Sequence, residues 1–177
     1  TREPIDPVRF MSNYSSGKMG YAIAMAAKAK GASVELISGP VALNPITDIR
    51  TTYVETSSEM YEAVKEKVSD FDIFISTAAI ADYKPANYSD TKYKKNENNI
   101  TIEFTRGIDI LETISKKHKN LFTVGFAAET NSLKENTQQK LATKNLDLIV
   151  GNIANHELKL GFESDYNEVI ILSNTNS

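Results

Sequence analysis

Residues 1–20 read TREPIDPVRFMSNYSSGKMG, and the run behind them, YAIAMAAKAKGASVELI at 21–37, converts a polar opening into a helix and then a strand. Met19, Ile23, Ala26 and Ala27 recur at helical spacing within 16–30, and Gly31 stands where a helix stops. Arg2, Arg9, Asn13, Ser15, Ser16, Gly17 and Lys18 all sit ahead of that helix. A polar loop, small residues, then the free N–H groups of a helix start make an anion site.

The same alternation continues along the chain. A short strand over 34–37 is ended by Gly39-Pro40, and another is expected over 52–54. Thr56 and Glu59 have capping-box spacing ahead of a helix over 60–68. The apolar run 73–75 leads into the small residues Thr77, Ala78 and Ala79. Alternating apolarity predicts a half-exposed strand over 100–104, then a helix over 110–117, a buried strand over 122–126 and a helix over 133–144. Strands over 147–150 and 169–172 complete the pattern.

Strands separated by helices predict an α/β chain with a doubly wound, mostly parallel sheet and helices on both faces. Ligands of such sheets lie at the carboxyl ends of the strands, where residues 78–82 and 126–130 fall. A parallel sheet opens with a strand before its first loop, so a first strand is expected ahead of this one, with 1–177 as a single domain. The irregular stretch 84–99, polar and rich in Asn and Lys, reads as a flap.

Composition narrows the classes. Of 177 residues 41% are apolar and 24% charged, which is ordinary for a globular domain. The net charge of −3 supplies no basic field for nucleic acid. The absence of cysteine excludes disulfides, a Cys nucleophile and Cys metal sites, and fits a cytoplasmic enzyme. No apolar run approaches the roughly 18–20 residues of a membrane span. His118 and His156 lie far apart in polar surroundings, so surface roles are expected and no metal ligand is assigned.

Two phosphate motifs fail. A Walker A loop needs Ser or Thr after its Gly-Lys, and Met19 follows Gly17-Lys18. A dinucleotide fingerprint needs three spaced glycines, and only Gly17 and Gly20 are present.

The blocks TREPIDPVRFMSNYSSGKMG, AAIADYKP (78–85), KYKK (92–95), GFAAET (125–130), KLATKNLDLIVGN (140–152) and GFESDYNEV (161–169) span nearly the whole chain. In this order they resemble the phosphopantothenoylcysteine synthetase domain of bacterial coenzyme A biosynthesis. The resemblance implies a Rossmann-like sheet and a CTP- and Mg²⁺-dependent ligation of 4′-phosphopantothenate to cysteine. It implies no flavin in this domain, a homodimer, and a flavin-dependent decarboxylase fused or associated.

By resemblance Asn13 and Arg9 serve the second half-reaction and Lys92 contacts the nucleotide phosphates, where Lys92, Lys94 and Lys95 alone read as a solvated charge run. Lys140 and Lys144, four apart on one helix, become nucleotide ligands as well. Ser15, Ser16 and Gly17 offer backbone N–H groups, and Ser76, Thr77, Ala78 and Ala79 offer close backbone approach. Asp82 suits a cytidine or a metal, or else caps a turn, and Phe126 suits the nucleotide or else the core. Ile108, Asp109, Ile110 and Leu111 match a further nucleotide-contacting segment, with Ile108 where Pro is frequent. A nicotinamide-dependent Rossmann-type oxidoreductase and a non-catalytic nucleotide-binding module remain open at this point.

Overall fold

The computed structural model describes residues 1–94, 99–153 and 168–174. Lys95, His156 and residues 161–167 of the GFESDYNEV block lie outside the described residues. The chain opens with a small antiparallel hairpin, β1 (Glu3–Pro4) and β2 (Phe10–Met11), and continues through α1 (Lys18–Ala29), β3 (Glu35–Ser38) and β4 (Arg50–Tyr53). Next come α2 (Ser57–Lys67), β5 (Ile73–Ser76), a ribbon of β6 (Tyr83–Pro85) and β7 (Phe104–Arg106), and α3 (Ile110–Lys117). The last elements are β8 (Phe122–Glu129), α4 (Leu133–Thr143), β9 (Leu148–Ile153) and β10 (Val169–Ser173).

Local chemistry sets the helix ends. The Ala-rich α1 stops where Gly31 adopts φ 88°, a left-handed conformation that ends helices. Thr56 Oγ1 accepts from Glu59 N at 3.1 Å while Glu59 Oε2 accepts from Thr56 N at 3.4 Å, the expected capping box. Asp109 caps α3 by accepting from Glu112 N at 2.9 Å.

The main sheet has the order β10-β9-β8-β5, parallel from β5 through β9, with β10 antiparallel at its edge. β3 and β4 form a second, parallel pair. Alternation along β3 reveals the double winding. Ile37 packs against the cluster that holds Met60 and Val64 of α2 and Ile110 and Ile114 of α3, whereas Ser38 Oγ meets the Tyr21 hydroxyl of α1 at 3.2 Å. Helices therefore lie on both faces of the β3–β4 pair. On the α2–α3 side Leu111, Ala127, Leu141, Leu146 and Ile149 form a second cluster joined by Phe74 and Leu172. On the reverse face of the main sheet Ile73, Ile75, Phe122, Val169 and Ile171 are exposed.

Several boundaries differ from the periodicity. The helix expected from 16 begins at Lys18, because Gly17 holds φ 76°. The strand expected over 100–104 forms at Phe104–Arg106, where Phe104 pairs with Pro85 and Arg106 with Tyr83. Lys84 and Pro85 accordingly belong to β6, and the irregular stretch begins after them. The β1–β2 hairpin escapes periodicity altogether, since tertiary bonds hold it: buried Glu3 accepts from Ser57 N at 2.9 Å at the start of α2, and Arg2 N donates to Glu55 O at 2.8 Å.

β3 and β5 share no ladder. Between them runs an apolar groove of about 520 Å³ bordered by Ile23, Ala24, Leu36, Ile73 and Ile75. Among the described residues no strand joins β3 to β5.

Leu146 is 1% exposed and Ile171 is 61% exposed. In urea unfolding of the full-length protein, Leu146→Ala is expected to cost about 2–5 kcal/mol. Ile171→Ala is expected to stay within about 0.5 kcal/mol. Equal effects would show that the α4 side is not the core.

Candidate functional site

The carboxyl ends of β3, β5, β8 and β9 open into one cavity of about 450 Å³, within the roughly 300–1,000 Å³ of small-molecule sites. Its first wall is the opening segment, with Asn13, Ser15, Ser16, Gly17 and the start of α1. Gly17 is the N-cap of α1, with φ 76°, and a Cβ there would stand 2.6 Å from Val41 Cγ1. Only glycine fits both the angle and the space. A Cβ on Gly20 would stand 2.7 Å from Thr77 Oγ1, so the first turn of α1 rests directly on the end of β5. That first turn holds no acidic residue, and its backbone N–H end borders the cavity.

The second wall is the chain leaving β5: Ser76, Thr77, Ala78, Ala79 and Asp82, whose small side chains leave backbone close to the cavity. Asn13 Nδ2 donates to Ile80 O at 3.2 Å, joining the two walls. Gly107 N donates to Asp82 O at 2.7 Å and brings Ile108, Asp109, Ile110 and Leu111 alongside. Half-buried Phe126 completes the floor with Ala128 and Asn152.

Lys140 and Lys144 both reach the cavity, and each is paired. Lys144 Nζ lies 2.8 Å from Asp109 Oδ2. Lys140 Nζ lies 2.6 Å from Glu129 Oε1, an ion pair off hydrogen-bond alignment, while Glu129 Oε2 accepts from Asn136 at 3.1 Å. α4 ends at Thr143, so Lys144 is its C-cap and not its last turn. A phosphate entering the cavity competes with two carboxylates for these cations.

Arg9 and Lys92 are not among the residues that border the cavity. The Arg9 guanidinium lies 2.6 Å from Asp6 Oδ2 and also donates to Tyr93 O at 3.4 and 3.5 Å. Lys92 is exposed on the adjoining chain. Arg9, which the resemblance assigns to the second half-reaction, is here a buckle between two loops. Burial of Asp6 opposes its charge, but N–H donors from Val8, Tyr93 and Arg9 and the Arg9 guanidinium outweigh that and hold its pKa below the ordinary 3.8.

Sequence reasoning missed Gly39, Pro40 and Val41, as well as Arg106, Gly107 and Asn152, all of which border the cavity. Gly39-Pro40 carried a signal, since it follows a strand at the ligand-binding edge. Arg106 and Gly107 carried none, because the β6–β7 ribbon places them.

Fold and cavity together define an α/β protein with a cavity at the carboxyl edge of a parallel sheet, bordered by the start of one helix and by two lysines. Over residues 1–177 the chain matches the family described as DNA/pantothenate metabolism flavoprotein C-terminal domain, and it belongs to that family. It is 46% identical over 174 residues to the coenzyme A biosynthesis bifunctional protein CoaBC of Vibrio vulnificus, covering 97% of this chain and 43% of that protein. The chain thus spans less than half the length of that relative. The crystal structure of a CoaBC C-terminal domain superposes with TM-score 0.77 at 41% identity, covering 97% of this chain and 81% of that one. A Cab2 mutant in complex with phosphopantothenate-cysteine shares the fold, with TM-score 0.78 at 16% identity, covering 98% of this chain and 73% of that one.

Gly17→Ala must leave the left-handed region or push Val41 aside. A melting temperature lower by several degrees is expected, corresponding to about 1–3 kcal/mol, and an unchanged melting curve would refute the fit. For Asp6 the folded pKa is depressed. Its stabilising contribution is therefore present above the unfolded value of about 3.9 and is lost as pH falls through the lower folded value. A ¹³C titration of the Asp6 carboxyl should show a midpoint below that of an unfolded aspartate, and one at or above it would contradict the hydrogen-bond pattern.

Proposed function

We propose that this chain is a phosphopantothenate–cysteine ligase domain of coenzyme A synthesis, using CTP. In the first step the 4′-phosphopantothenate carboxylate attacks the α-phosphorus of CTP. An O–P bond forms, the bond to the β-phosphate oxygen breaks, and pyrophosphate leaves an acyl-cytidylate. In the second, the cysteine amine attacks the activated carbonyl, CMP departs with the bonding pair, and the amine loses a proton.

The observation that carries this reading is the joining of three features in one cavity: the glycine-capped start of α1, the Lys140–Lys144 pair and the Asn13 amide. A triphosphate attacked by a carboxylate needs its charge neutralised, and the two lysines supply cations by exchanging Glu129 and Asp109 for phosphate oxygens. Asn13, neutral and able to donate, suits the oxygen that gains charge as the amine attacks. Lys92 reaches the reacting phosphates when the chain around it moves over the cavity. Phe126 offers a face to the base, and the 76–79 backbone offers close approach.

Among the described residues no three His, Cys, Asp or Glu side chains form a metal cage. Mg²⁺ fits this site as an ion carried on the triphosphate, where it would neutralise charge, with Asp82 the cavity carboxylate outside any ion pair shown. The likeness to CoaBC further supports a decarboxylase partner in the same polypeptide, and we propose a homodimer in the cytoplasm. A nicotinamide oxidoreductase is the weaker reading, because the opening loop offers Gly17 and Gly20 but no third spaced glycine.

CTP with Mg²⁺ should raise the melting temperature of the full-length protein more than NADPH at equal concentration. CMP and pyrophosphate should form only when the acid is present. The reverse order of stabilisation, or nucleotide turnover without the acid, would defeat the proposal. In single-turnover reactions Asn13→Asp should accumulate acyl-cytidylate and slow its use by roughly a hundred- to thousandfold. Lys92→Gln should form almost none. Both variants stalling at one step would break the division of roles.

A further inference from the structure

Asp6 is a carboxylate that the chemistry above does not use, and its side chain is wholly buried. Its Oδ1 accepts from Val8 N and Arg9 N, both at 2.8 Å, and so shapes the turn of the β1–β2 hairpin. Its Oδ2 does something different. It takes the Arg9 guanidinium at 2.6 Å and, from 87 residues away in sequence, the Tyr93 N–H at 3.2 Å. Arg9 then donates to the Tyr93 carbonyl, so the peptide unit on each side of Tyr93 is engaged. A second bond, Ser89 N to Ile5 O at 3.0 Å, runs between the same two segments.

We propose that Asp6 is a positioning residue whose carboxylate fastens the chain at Tyr93 to the turn carrying Arg9, so that Arg9 and Lys92 are held as one unit. The inference rests on the ligase reading for its effect on turnover but not for the fastening itself. One oxygen folds the turn and the other holds the flap, so the two tasks are separable by substitution. Turn formation needs only an acceptor at Oδ1, which an asparagine retains. Holding Arg9 and Tyr93 needs an acceptor at Oδ2, where an asparagine presents N–H groups to two donors.

The first test uses Asp6→Asn in the full-length protein. Amide exchange at Tyr93 should quicken while exchange in α1 and β8 stays as in the parent, and turnover should fall about tenfold or more. The Kd for CTP with Mg²⁺, measured by calorimetry, should rise no further than it does in Lys92→Gln, since the cavity walls are untouched; a larger rise would overturn the positioning role. Tyr93→Pro removes the flap's donor while leaving Asp6, Arg9 and the hairpin in place, and it should reproduce the loss of turnover. On a Lys92→Gln background Asp6→Asn should add little, because a residue acting through another does not add to its removal. Unchanged exchange at Tyr93 in Asp6→Asn would overturn the fastening, whatever the enzyme's activity. Quickened exchange with full turnover, or costs that add to those of Lys92→Gln, would overturn the positioning role. If the parent protein makes no CMP from CTP, the ligase reading fails and the exchange result still stands on its own.

Discussion

Two carboxylates withdrawn from water hold the segment on which the site is built. The stretch from Thr1 to Gly17 contributes little to the apolar clusters, and its hairpin strands are two residues each. Its course is fixed by Glu3 on the first turn of α2 and by Asp6 within its own turn. A buried carboxylate is costly unless donors meet it. Here the donors are backbone N–H groups with few alternative positions, so a requirement for partners becomes a requirement for one geometry. Asn13 and Gly17 inherit their places from it.

The cavity gathers its charge in a second way. Lys140 and Lys144 stand at the end of one helix, and each faces a carboxylate from another element, Glu129 at the end of β8 and Asp109 at the start of α3. These pairs keep the cations directed at the cavity without leaving them uncompensated. Asp109 also caps α3, so the residue that restrains Lys144 is the one that sets where that helix begins. Lysine, a compact charge on a flexible stem, suits an exchange of one oxygen partner for another.

Much of this was legible in the sequence, for physical reasons that differ by element. The capping box at Thr56 and the apolar spacing of 110–117 are local patterns, and helices formed at both, α3 as read and α2 over Ser57–Lys67 instead of 60–68 because Thr56 caps it directly. β8 and β9 were legible as short, largely apolar runs, as central parallel strands of a sheet require. The cavity residues after β5 and β8 followed from the rule that ligands sit at carboxyl ends. What periodicity could not carry were elements held by distant partners: the Glu3 hairpin, the β6–β7 ribbon and the Arg9 buckle. The pairing of Pro85 with Phe104 joins residues far apart in sequence, and nothing in either triplet alone marks a strand.

The seam between β3 and β5 gives the site an adjustable gauge. Hydrogen-bonded ladders hold neighbouring strands about 4.7–4.9 Å apart, but across this seam no ladder acts as a ruler. The cavity straddles it, with Gly17, Gly39 and Pro40 on one bank and Ser76, Phe126 and Lys144 on the other. The separation of the banks is set by the α2–α3 cluster on which both Ile37 and Phe74 pack, and by two small bridges, Gly20 against Thr77 and Asn13 on Ile80. A substitution at Ile23 or Ile73, neither of which borders the cavity, is therefore expected to be read at the site as a change in span.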